Sequence, residues 1–274
     1  NDAIAITAGL IHTCALKKDT SVVCWGYGGE GQLGVAPDDP LPNQVTDGSG
    51  NLQPHQTTVP VQVQNGMGDI LKNVTGVAAG DYHTCAMSTQ LGTVLCWGSN
   101  DVGQLGRGFK GGLMPYPKPV IMAGTFAPLE NISTLAAGAK HACAGQKDGP
   151  VYCWGNNDSD QLGTDWDIID SPSAVKVVVE NVTDVKDLAA GKDHSCALLK
   201  DDSVKCWGSN AFGQLGISPS LIDPYGTPVC DPYGNVACSA PTGTAVCDPY
   251  GSLSCADTKP VCTPSTGKPK CVEL

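Results

Sequence analysis

Short runs that contain apolar residues are separated by polar turns in the segment 188–216, LAAGKDHSCALLKDDSVKCWGSNAFGQLG. Residues 188–191 are a short run of mostly small side chains, and residues 194–199 alternate as a half-buried β-strand does. The tripeptide 200–202 has typical turn chemistry, and residues 204–207 return as a third strand. A polar, glycine-containing loop ends the segment. The pattern predicts three short antiparallel strands joined by tight turns.

This pattern occurs three more times, beginning at Ile6, Val77 and Leu135. Each copy contains Ala-Gly, then a histidine with a cysteine two residues later, then Cys-Trp-Gly. Successive repeat histidines are 71, 58 and 53 residues apart; they are His12, His83, His141 and His194. A period of this size, built from strands and turns, indicates the blades of a β-propeller.

The repeated pattern AG-x-x-H-[TSA]-C-A, V-x-C-W-G and G-Q-L-G resembles the regulator-of-chromosome-condensation repeat family over roughly residues 1–230. The third copy departs from it, because Asp160 replaces the glycine that precedes Gln-Leu-Gly. The resemblance implies an all-β, propeller-type domain with four recognisable blades. Propellers of this family typically have about seven blades. The four copies are therefore expected to form a small closed ring, or a partial ring that is completed between chains.

Two domains are expected, a four-repeat domain at 1–222 and a Cys/Pro/Gly-rich tail at 223–274. Residues 35–58 are rich in Pro, Asp, Asn and Gly, which indicates an exposed loop. That loop serves either as a recognition element or as a tolerated surface insertion. Its composition does not decide between the two.

The first repeat has no counterpart to the Pro-Val strands that precede later repeats, at 59–63 and 116–122. Thr227-Pro228-Val229 resembles such a strand but has no Ala-Gly strand after it. We therefore expect 227–229 to complete the first blade, either within the chain or in the next molecule. Both arrangements would pair strand edges that are otherwise open.

The 14 cysteines form seven local couples with none left over, and the two members of a couple are eight to eleven positions apart. An even count at repeated spacing predicts disulfides formed in an oxidising compartment. A metal site is less favoured, because no couple has the two-residue separation of a zinc knuckle. The predicted bridges are Cys14–Cys24, Cys85–Cys96, Cys143–Cys153, Cys196–Cys206, Cys230–Cys238, Cys247–Cys255 and Cys262–Cys271.

The tail contains three copies of Asp-Pro-Tyr-Gly, which matches a type I turn with Asp first, Pro second and Gly fourth. We expect 230–238 and 247–255 to be small hairpins closed by this turn, and 262–271 to be a looser version. Such a segment has little core of its own and depends on its disulfides.

The formal net charge is −11, with 16 basic and 27 acidic residues, and Arg107 is the chain's single arginine. Nucleic-acid binding requires clustered basic side chains, so we expect no nucleic-acid partner. The longest apolar runs fall well short of the roughly 18 residues that a membrane-spanning helix needs. The chain opens almost directly into its first strand, as expected after removal of a signal peptide. With the disulfides, these features predict an extracellular or cell-surface location.

The resemblance implies that the four repeat histidines belong to the framework, hydrogen-bonded to a neighbouring strand, rather than to a metal ring. No metal or cofactor is expected. An acidic loop with Asp158, Asp160, Asp165 and Asp167 could offer oxygen ligands to calcium, but a solvated loop is favoured. The tryptophan after the second cysteine of each repeat is expected to pack between blades beside the disulfide; these residues are Trp25, Trp97, Trp154 and Trp207.

Three Asn-x-Ser/Thr sequons precede the Ala-Gly strands, at Asn73, Asn131 and Asn181. They are either glycosylation sites on one rim or turn residues inherited with the repeat. The sequence does not choose between these interpretations.

No catalytic constellation stands outside the repeat framework, so the chain is not expected to be an enzyme. We expect a non-enzymatic extracellular interaction protein whose partner is a protein, namely other copies of itself. It would assemble through its blade edges and cystine tail, as the subunit of a surface polymer or filament does. The alternative is a monomeric secreted binding or inhibitory module that uses loops on one propeller face.

Overall fold

The computed structural model describes residues 2–36, 41–42, 44–46, 49, 52–89, 92–164, 168–179 and 182–216, and the backbone of four short strands between 245 and 272. The chain divides into two compact units, Asn1–Ser209 and Asn210–Leu274. The expected domain boundary between residues 222 and 223 lies outside the described residues.

All regular elements of the described residues are β-strands. Those of the first unit are β1 (Ala3–Ala8), β2 (His12–Lys17), β3 (Val22–Tyr27), β4 (Gln44–Thr46), β5 (Leu52–Gln62), β6 (Val74–Ala79), β7 (His83–Ser88), β8 (Thr93–Ser99), β9 (Leu113–Pro119), β10 (Ile132–Ala137), β11 (His141–Gln146), β12 (Val151–Asn156), β13 (Asp170–Lys176), β14 (Val185–Ala190), β15 (His194–Leu199) and β16 (Val204–Gly208). Those of the second unit are β17 (Ala245–Cys247), β18 (Leu253–Cys255), β19 (Val261–Ser265) and β20 (Gly267–Val272).

The strands of the first unit form four antiparallel sheets, which we call blades 1 to 4. Their strand orders are β1-β2-β3-β5-β4, β6-β7-β8-β9, β10-β11-β12-β13 and β14-β15-β16. The predicted all-β, propeller-type fold with four blades is therefore confirmed.

The turn between the second and third strands of blade 4 shows how the sequence closes this hairpin. The carboxylate of Asp201 accepts hydrogen bonds from the backbone N–H of Ser203 at 3.0 Å and from its hydroxyl at 2.6 Å. Asp202 adopts a φ of 69°, a left-handed conformation that Asp tolerates better than most residues. The two arms leave this turn in a register that sets Cys196 opposite Cys206.

The expectation that the first blade lacks its Pro-Val strand is wrong. Residues 59–62 belong to β5, which pairs with β3 and sets Val61 opposite Cys24. In blades 1 to 3, the chain that leaves the Gln-Leu-Gly loop thus folds back onto the third strand of its own blade instead of starting the next one. A short return to an adjacent strand is the usual connection. Blade 1 needs no strand from Thr227-Pro228-Val229, and that segment lies outside the described residues.

The insertion 35–58 is not simply a loop, as the sequence suggested. Residues 44–46 form β4 and residues 52–58 begin β5, with Gln44 opposite Thr57. The buried Thr57 hydroxyl donates a hydrogen bond to the carbonyl of Pro42 at 2.6 Å. This hairpin extends blade 1 at its outer edge.

Three hydrophobic clusters fill the spaces between consecutive blades. One joins blades 1 and 2 through residues such as Leu33 and Trp97, and another joins blades 2 and 3 through Leu105 and Trp154. The third joins blades 3 and 4 and includes Trp207. The core therefore lies between the sheets, so each inner blade depends on both neighbours.

The Ala-Gly step at the end of each first strand lies where consecutive blades approach most closely. A Cβ on Gly80 would lie 2.4 Å from the carbonyl oxygen of Gly138 in blade 3 and 2.1 Å from Cε1 of His83. Neither position leaves room for a methyl group, so glycine is required here for space rather than for its φ angle.

The second unit contains two small hairpins in its described part. In β17–β18, Cys247 lies opposite Leu253 and Cys255 lies opposite Ala245. In β19–β20, Cys262 lies directly opposite Cys271. The side chains of both hairpins and the whole segment 230–238 lie outside the described residues, so the three tail disulfides stay predictions.

Candidate functional site

The repeat histidines of blades 1 and 3 are hydrogen-bonded to hydroxyl groups of the next blade. Nε2 of His12 lies 2.9 Å from Oγ1 of Thr84, and Nε2 of His141 lies 2.9 Å from Oγ of Ser195. The rings are buried, with 3% and 0% of their surface exposed. Within the described residues, no group of three or more His, Cys, Asp or Glu side chains is placed to hold a metal ion.

His83 of blade 2 is fully buried, and neither ring nitrogen has a hydrogen-bond partner among the described residues. Ala142 of blade 3 occupies the repeat position that Thr84 and Ser195 fill in blades 2 and 4. An alanine offers no hydroxyl to a histidine in the preceding blade. The interface between blades 2 and 3 therefore lacks a hydrogen bond that both of its neighbours have.

Burial keeps these histidines neutral, because a charged imidazolium is poorly solvated between the blades. It lowers the pKa of His12 to about 4. The pKa of His83 falls to about 3, first through burial and then through the nearby His12 and His141. Burial, followed by the charge of His194, lowers the pKa of His141 to about 3.

Each buried tryptophan contacts the Gln-Leu-Gly loop of the preceding blade. The indole N–H groups of Trp97, Trp154 and Trp207 donate to the backbone carbonyls of Gln32, Gln104 and Gln161, at 3.0, 2.9 and 3.0 Å. The same carbonyls of Gln32 and Gln161 also accept the hydroxyls of Thr84 and Ser195, at 3.0 Å each. One loop carbonyl thus holds two donors from the next blade.

The structure contains four disulfides within the blades, Cys14–Cys24, Cys85–Cys96, Cys143–Cys153 and Cys196–Cys206. The first three are buried in the clusters that join their blade to the following one. Each buried tryptophan consequently packs in the same cluster as the disulfide of the preceding blade.

Blades 1 and 4, at the two ends of the array, expose repeat side chains whose equivalents are buried at the interfaces between blades. In blade 1, Thr13 and Trp25 are only half-buried, although Trp97, Trp154 and Trp207 are fully buried. In blade 4, His194, Cys196 and Cys206 are half-buried, whereas their equivalents in the inner blades are buried.

Sequence reasoning missed the loop carbonyl and the hydroxyl that follows the repeat histidine. Both could have been found, because Gly-Gln-Leu-Gly recurs and the position after the histidine is Thr, Thr, Ala and Ser in order. The hydrogen bonds to the loop carbonyl join residues that are 34 to 65 positions apart in the chain, and a local sequence pattern does not reveal such contacts.

The single arginine is engaged inside blade 2. The guanidinium of Arg107 donates to the carbonyls of Cys96 at 2.6 Å and Tyr116 at 2.8 Å. Burial lowers its pKa to about 10. This side chain therefore fixes the loop after β8 onto its own blade.

Two of the three sequons that precede an Ala-Gly strand lie among the described residues, and both of their asparagines are exposed. Asn73 and Asn131 have φ angles of 62° and 60°, and each directly precedes the first strand of a blade. This geometry suits an asparagine turn. Asn181 lies outside the described residues.

In the acidic loop, the Asn156 amide donates a hydrogen bond to the Asp158 carboxylate at 2.9 Å. Asp160 has a left-handed φ of 60° at the position where other repeats have glycine. Asp165 and Asp167 lie outside the described residues. No helix among the described residues is long and apolar enough to cross a bilayer.

Two models of the regulator of chromosome condensation (RCC1) repeat match the chain. One matches residues 3–32, 74–104, 132–161 and 185–214, and the other matches 21–87, 92–144 and 148–198. The first set begins close to the first strand of every blade, and the second set spans more than half of the chain.

Relatives and solved structures agree with this match. The ultraviolet-B receptor UVR8 of Arabidopsis thaliana is 32% identical over 216 residues, which are 78% of this chain and 43% of the receptor. The guanine nucleotide exchange factor SRM1 of Saccharomyces cerevisiae is 28% identical over 233 residues, 80% of this chain and 47% of that protein.

Among solved structures, human WBSCR16 superposes with a TM-score of 0.64 at 21% identity, over 81% of this chain and 51% of that one. Yeast RCC1 (Prp20) bound to Kap60 gives 0.61 at 24% identity, over 84% and 49%. These structures support the fold. The chain spans about half the length of the relatives it matches. Four blades, each built on a matched repeat and joined by the same loop contacts, place this chain in the RCC1 repeat family.

Proposed function

We propose that this chain is a non-enzymatic, extracellular interaction protein that assembles head to tail with other copies of itself, as the subunit of a surface polymer does. Its relatives and family support a role in protein interaction. One observation carries the proposal of self-assembly: the two end blades expose, at equivalent positions, the apolar side chains that the inner blades bury against each other.

The side of blade 1 that faces away from blade 2 is apolar. Ile6 is 70% exposed, whereas Leu188 at the same position of blade 4 packs against blade 3 and is 7% exposed. Val77 and Leu135 likewise pack in the clusters that join their blades to the preceding ones. Ile4 of the same strand is 58% exposed.

The opposite side of blade 4 is also apolar. Val204 is 61% exposed, whereas the valines at the equivalent position of the third strand in blades 1 to 3 are 0% exposed. Those buried residues are Val22, Val94 and Val151. Leu198 is exposed beside it in the middle strand, while its blade 1 counterpart Leu16 is 1% exposed.

Clustered apolar residues of this kind on a protein surface usually mark interaction sites. The two faces differ from each other, so a contact between them is heterologous. Repeating a heterologous contact produces a closed ring or an open filament. The arrangement therefore favours assembly of many copies over a symmetric dimer.

The disulfides support the extracellular part of the proposal, because cytosolic reductants keep most thiols reduced. Alkylation of intact cells at harvest, followed by peptide mapping, tests it. We expect the eight cysteines of the blades to be unmodified until a reductant is added. Alkylation of these cysteines without a reductant would contradict an extracellular location.

Light scattering during size-exclusion chromatography tests self-assembly. We expect the full chain to form species larger than its 28.2 kDa mass and to dissociate on dilution. Ile6→Asp and Val204→Asp should each abolish the larger species, because an unpaired carboxylate would be buried in the contact. Phe126→Asp is the matched control, since Phe126 is 82% exposed and lies away from both faces.

A full chain that stays monomeric at every concentration would rule out self-assembly. The monomeric secreted binding or inhibitory module would then be the remaining function. Equal loss of assembly in all three variants, the control included, would instead indicate a general effect of added charge.

A further inference from the structure

A cavity of about 440 Å³ opens on the exposed side of blade 1. Ile11, Trp25, Gly26, Tyr27 and residues 56–58 line it. Its lining comes from the turn before β2, the end of β3 and the middle of β5. These are the elements that receive a neighbouring loop in the other blades.

The equivalent position in each later blade is filled by the Gly-Gln-Leu-Gly loop of the preceding blade. A Cβ on Gly98 would lie 3.4 Å from Cα of Gln32. A Cβ on Gly155 would lie 3.2 Å from Cα of Gln104, and one on Gly208 would lie 3.2 Å from Cα of Gln161.

In blade 1, Gly26 holds this repeat position, and its nearest neighbours are Ile11 and His12 of its own blade. The cavity thus lies where a loop of this type packs in the other blades. The two donors that hold the loop elsewhere are also present beside it. Trp25 has the indole N–H of the other repeat tryptophans, and Thr13 has the hydroxyl of Thr84 and Ser195.

The fourth repeat contains a loop with the same internal hydrogen bonds as those that fill the inner interfaces. The N–H of Phe212 donates to Oε1 of Gln214 at 2.8 Å, and the N–H of Leu215 donates to Oδ1 of Asn210 at 3.1 Å. The N–H of Gly216 donates to the carbonyl of Gly213 at 2.9 Å.

The corresponding bonds in the second repeat measure 3.0, 3.2 and 2.9 Å. Leu33, Leu105 and Leu162 of the inner loops are fully buried, whereas Leu215 is partly exposed. The fourth loop already has the shape its counterparts adopt in their bound positions. Binding it costs little conformational entropy.

We propose that the cavity of blade 1 binds the loop 212–216 of a second copy of this chain. The inference rests on the proposed self-assembly and names its contact. The Trp25 indole and the Thr13 hydroxyl donate to the carbonyl of Gln214, and Leu215 enters the cavity.

Complementation between two full-length variants tests this contact. Trp25→Ala alters only the cavity, and Leu215→Asp alters only the loop. Each variant alone should be monomeric, because every contact needs both parts. A one-to-one mixture should form a dimer and nothing larger, since one intact cavity and one intact loop remain.

Trp25→Phe is the conservative companion, because it keeps an aromatic ring and removes the N–H donor. We expect it to fold like wild type and to raise the dissociation constant about tenfold. Val178→Asp is the matched control for added charge, since Val178 is 51% exposed outside the cavity. It should assemble as wild type does.

The outcomes separate this inference from the proposed function. Wild-type assembly by all of the variants would overturn the loop contact and leave self-assembly standing. Monomeric single variants whose mixture also stays monomeric would overturn the contact too. A wild-type chain that is monomeric throughout the concentration range would overturn both.

Discussion

Oγ of Ser195 lies 2.9 Å from Nε2 of His141, across the interface between blades 4 and 3. The same hydroxyl donates to the carbonyl of Gln161 at 3.0 Å and lies 3.6 Å from Sγ of Cys143. One small side chain therefore contacts the histidine, the loop and the disulfide of the preceding blade. These three groups are also the most regular features of the repeat.

Removing this hydroxyl should destabilise the array. Ser195→Ala leaves Nε2 of His141 buried without a partner, and we expect the free energy of unfolding to fall by about 1–3 kcal/mol. Urea unfolding under oxidising conditions measures it. Ser133→Ala is the control, because that exposed hydroxyl bonds within its own blade at 3.3 Å. Equal effects of the two substitutions would refute a special role for Ser195.

Adding a hydroxyl at the interface between blades 2 and 3 should stabilise it. Ala142→Ser offers His83 the partner that His12 and His141 have, and we expect a gain of about 1 kcal/mol. Ala144→Ser is the matched comparison, since Ala144 is equally buried in the same cluster. It should lose about 1–3 kcal/mol, because its hydroxyl has no histidine to meet. A loss at both positions would argue against the repeat alignment.

Acidification should destabilise the blades before the carboxylates titrate. The folded-state pKa values of His12, His83 and His141 lie well below the ordinary 6.5, so the unfolded chain binds more protons below that pH. Stability is full above about pH 6.5 and falls toward pH 4, by up to about 1.4 kcal/mol per pH unit for each histidine. Urea unfolding at a series of pH values measures the slope. Constant stability between pH 7 and pH 5 would contradict buried, neutral histidines.

A methyl group at the close approach between first strands should be poorly tolerated. In Gly138→Ala, the new Cβ would lie 2.4 Å from the carbonyl oxygen of Gly191 and 2.1 Å from Cε1 of His141. Because a backbone atom of the next blade cannot easily move, we expect a loss of about 3 kcal/mol. Gly191→Ala is the comparison, since its nearest neighbours are atoms of His194 alone. Thermal unfolding should rank the first variant below the second.

Repeat spacing and cysteine couples were sufficient to predict the blades, because both record contacts within a single hairpin. Cys14 and Cys24, for example, lie on adjacent strands ten residues apart. The same information assigned the Pro-Val strand at 59–63 to the second repeat, although it pairs with blade 1. A periodic sequence can be divided at any point of its period, and Val61 lies between two repeats in the chain. Only strand pairing, a non-local property, assigns it to blade 1.

The candidate site was less predictable, for a related reason. A loop carbonyl such as that of Gln104 belongs to the backbone, so no residue type marks it as an acceptor. The sequence does contain the [TSA] position after the histidine. The role of that position becomes clear only when Ala142 is known to face the preceding blade. Which blade a side chain faces depends on how the sheets pack.

The missing hydroxyl at Ala142 is accompanied by backbone pairing across the same interface. The N–H of Ala174 in blade 3 donates to the carbonyl of Ile121 at 2.8 Å, and the N–H of Gly108 donates to the carbonyl of Pro172 at 2.7 Å. A backbone hydrogen bond persists whatever side chain a position carries, whereas a histidine–hydroxyl bond is lost with a single substitution. Mutation can therefore erase the histidine bonds of the two outer interfaces one residue at a time, while the middle interface keeps these backbone bonds.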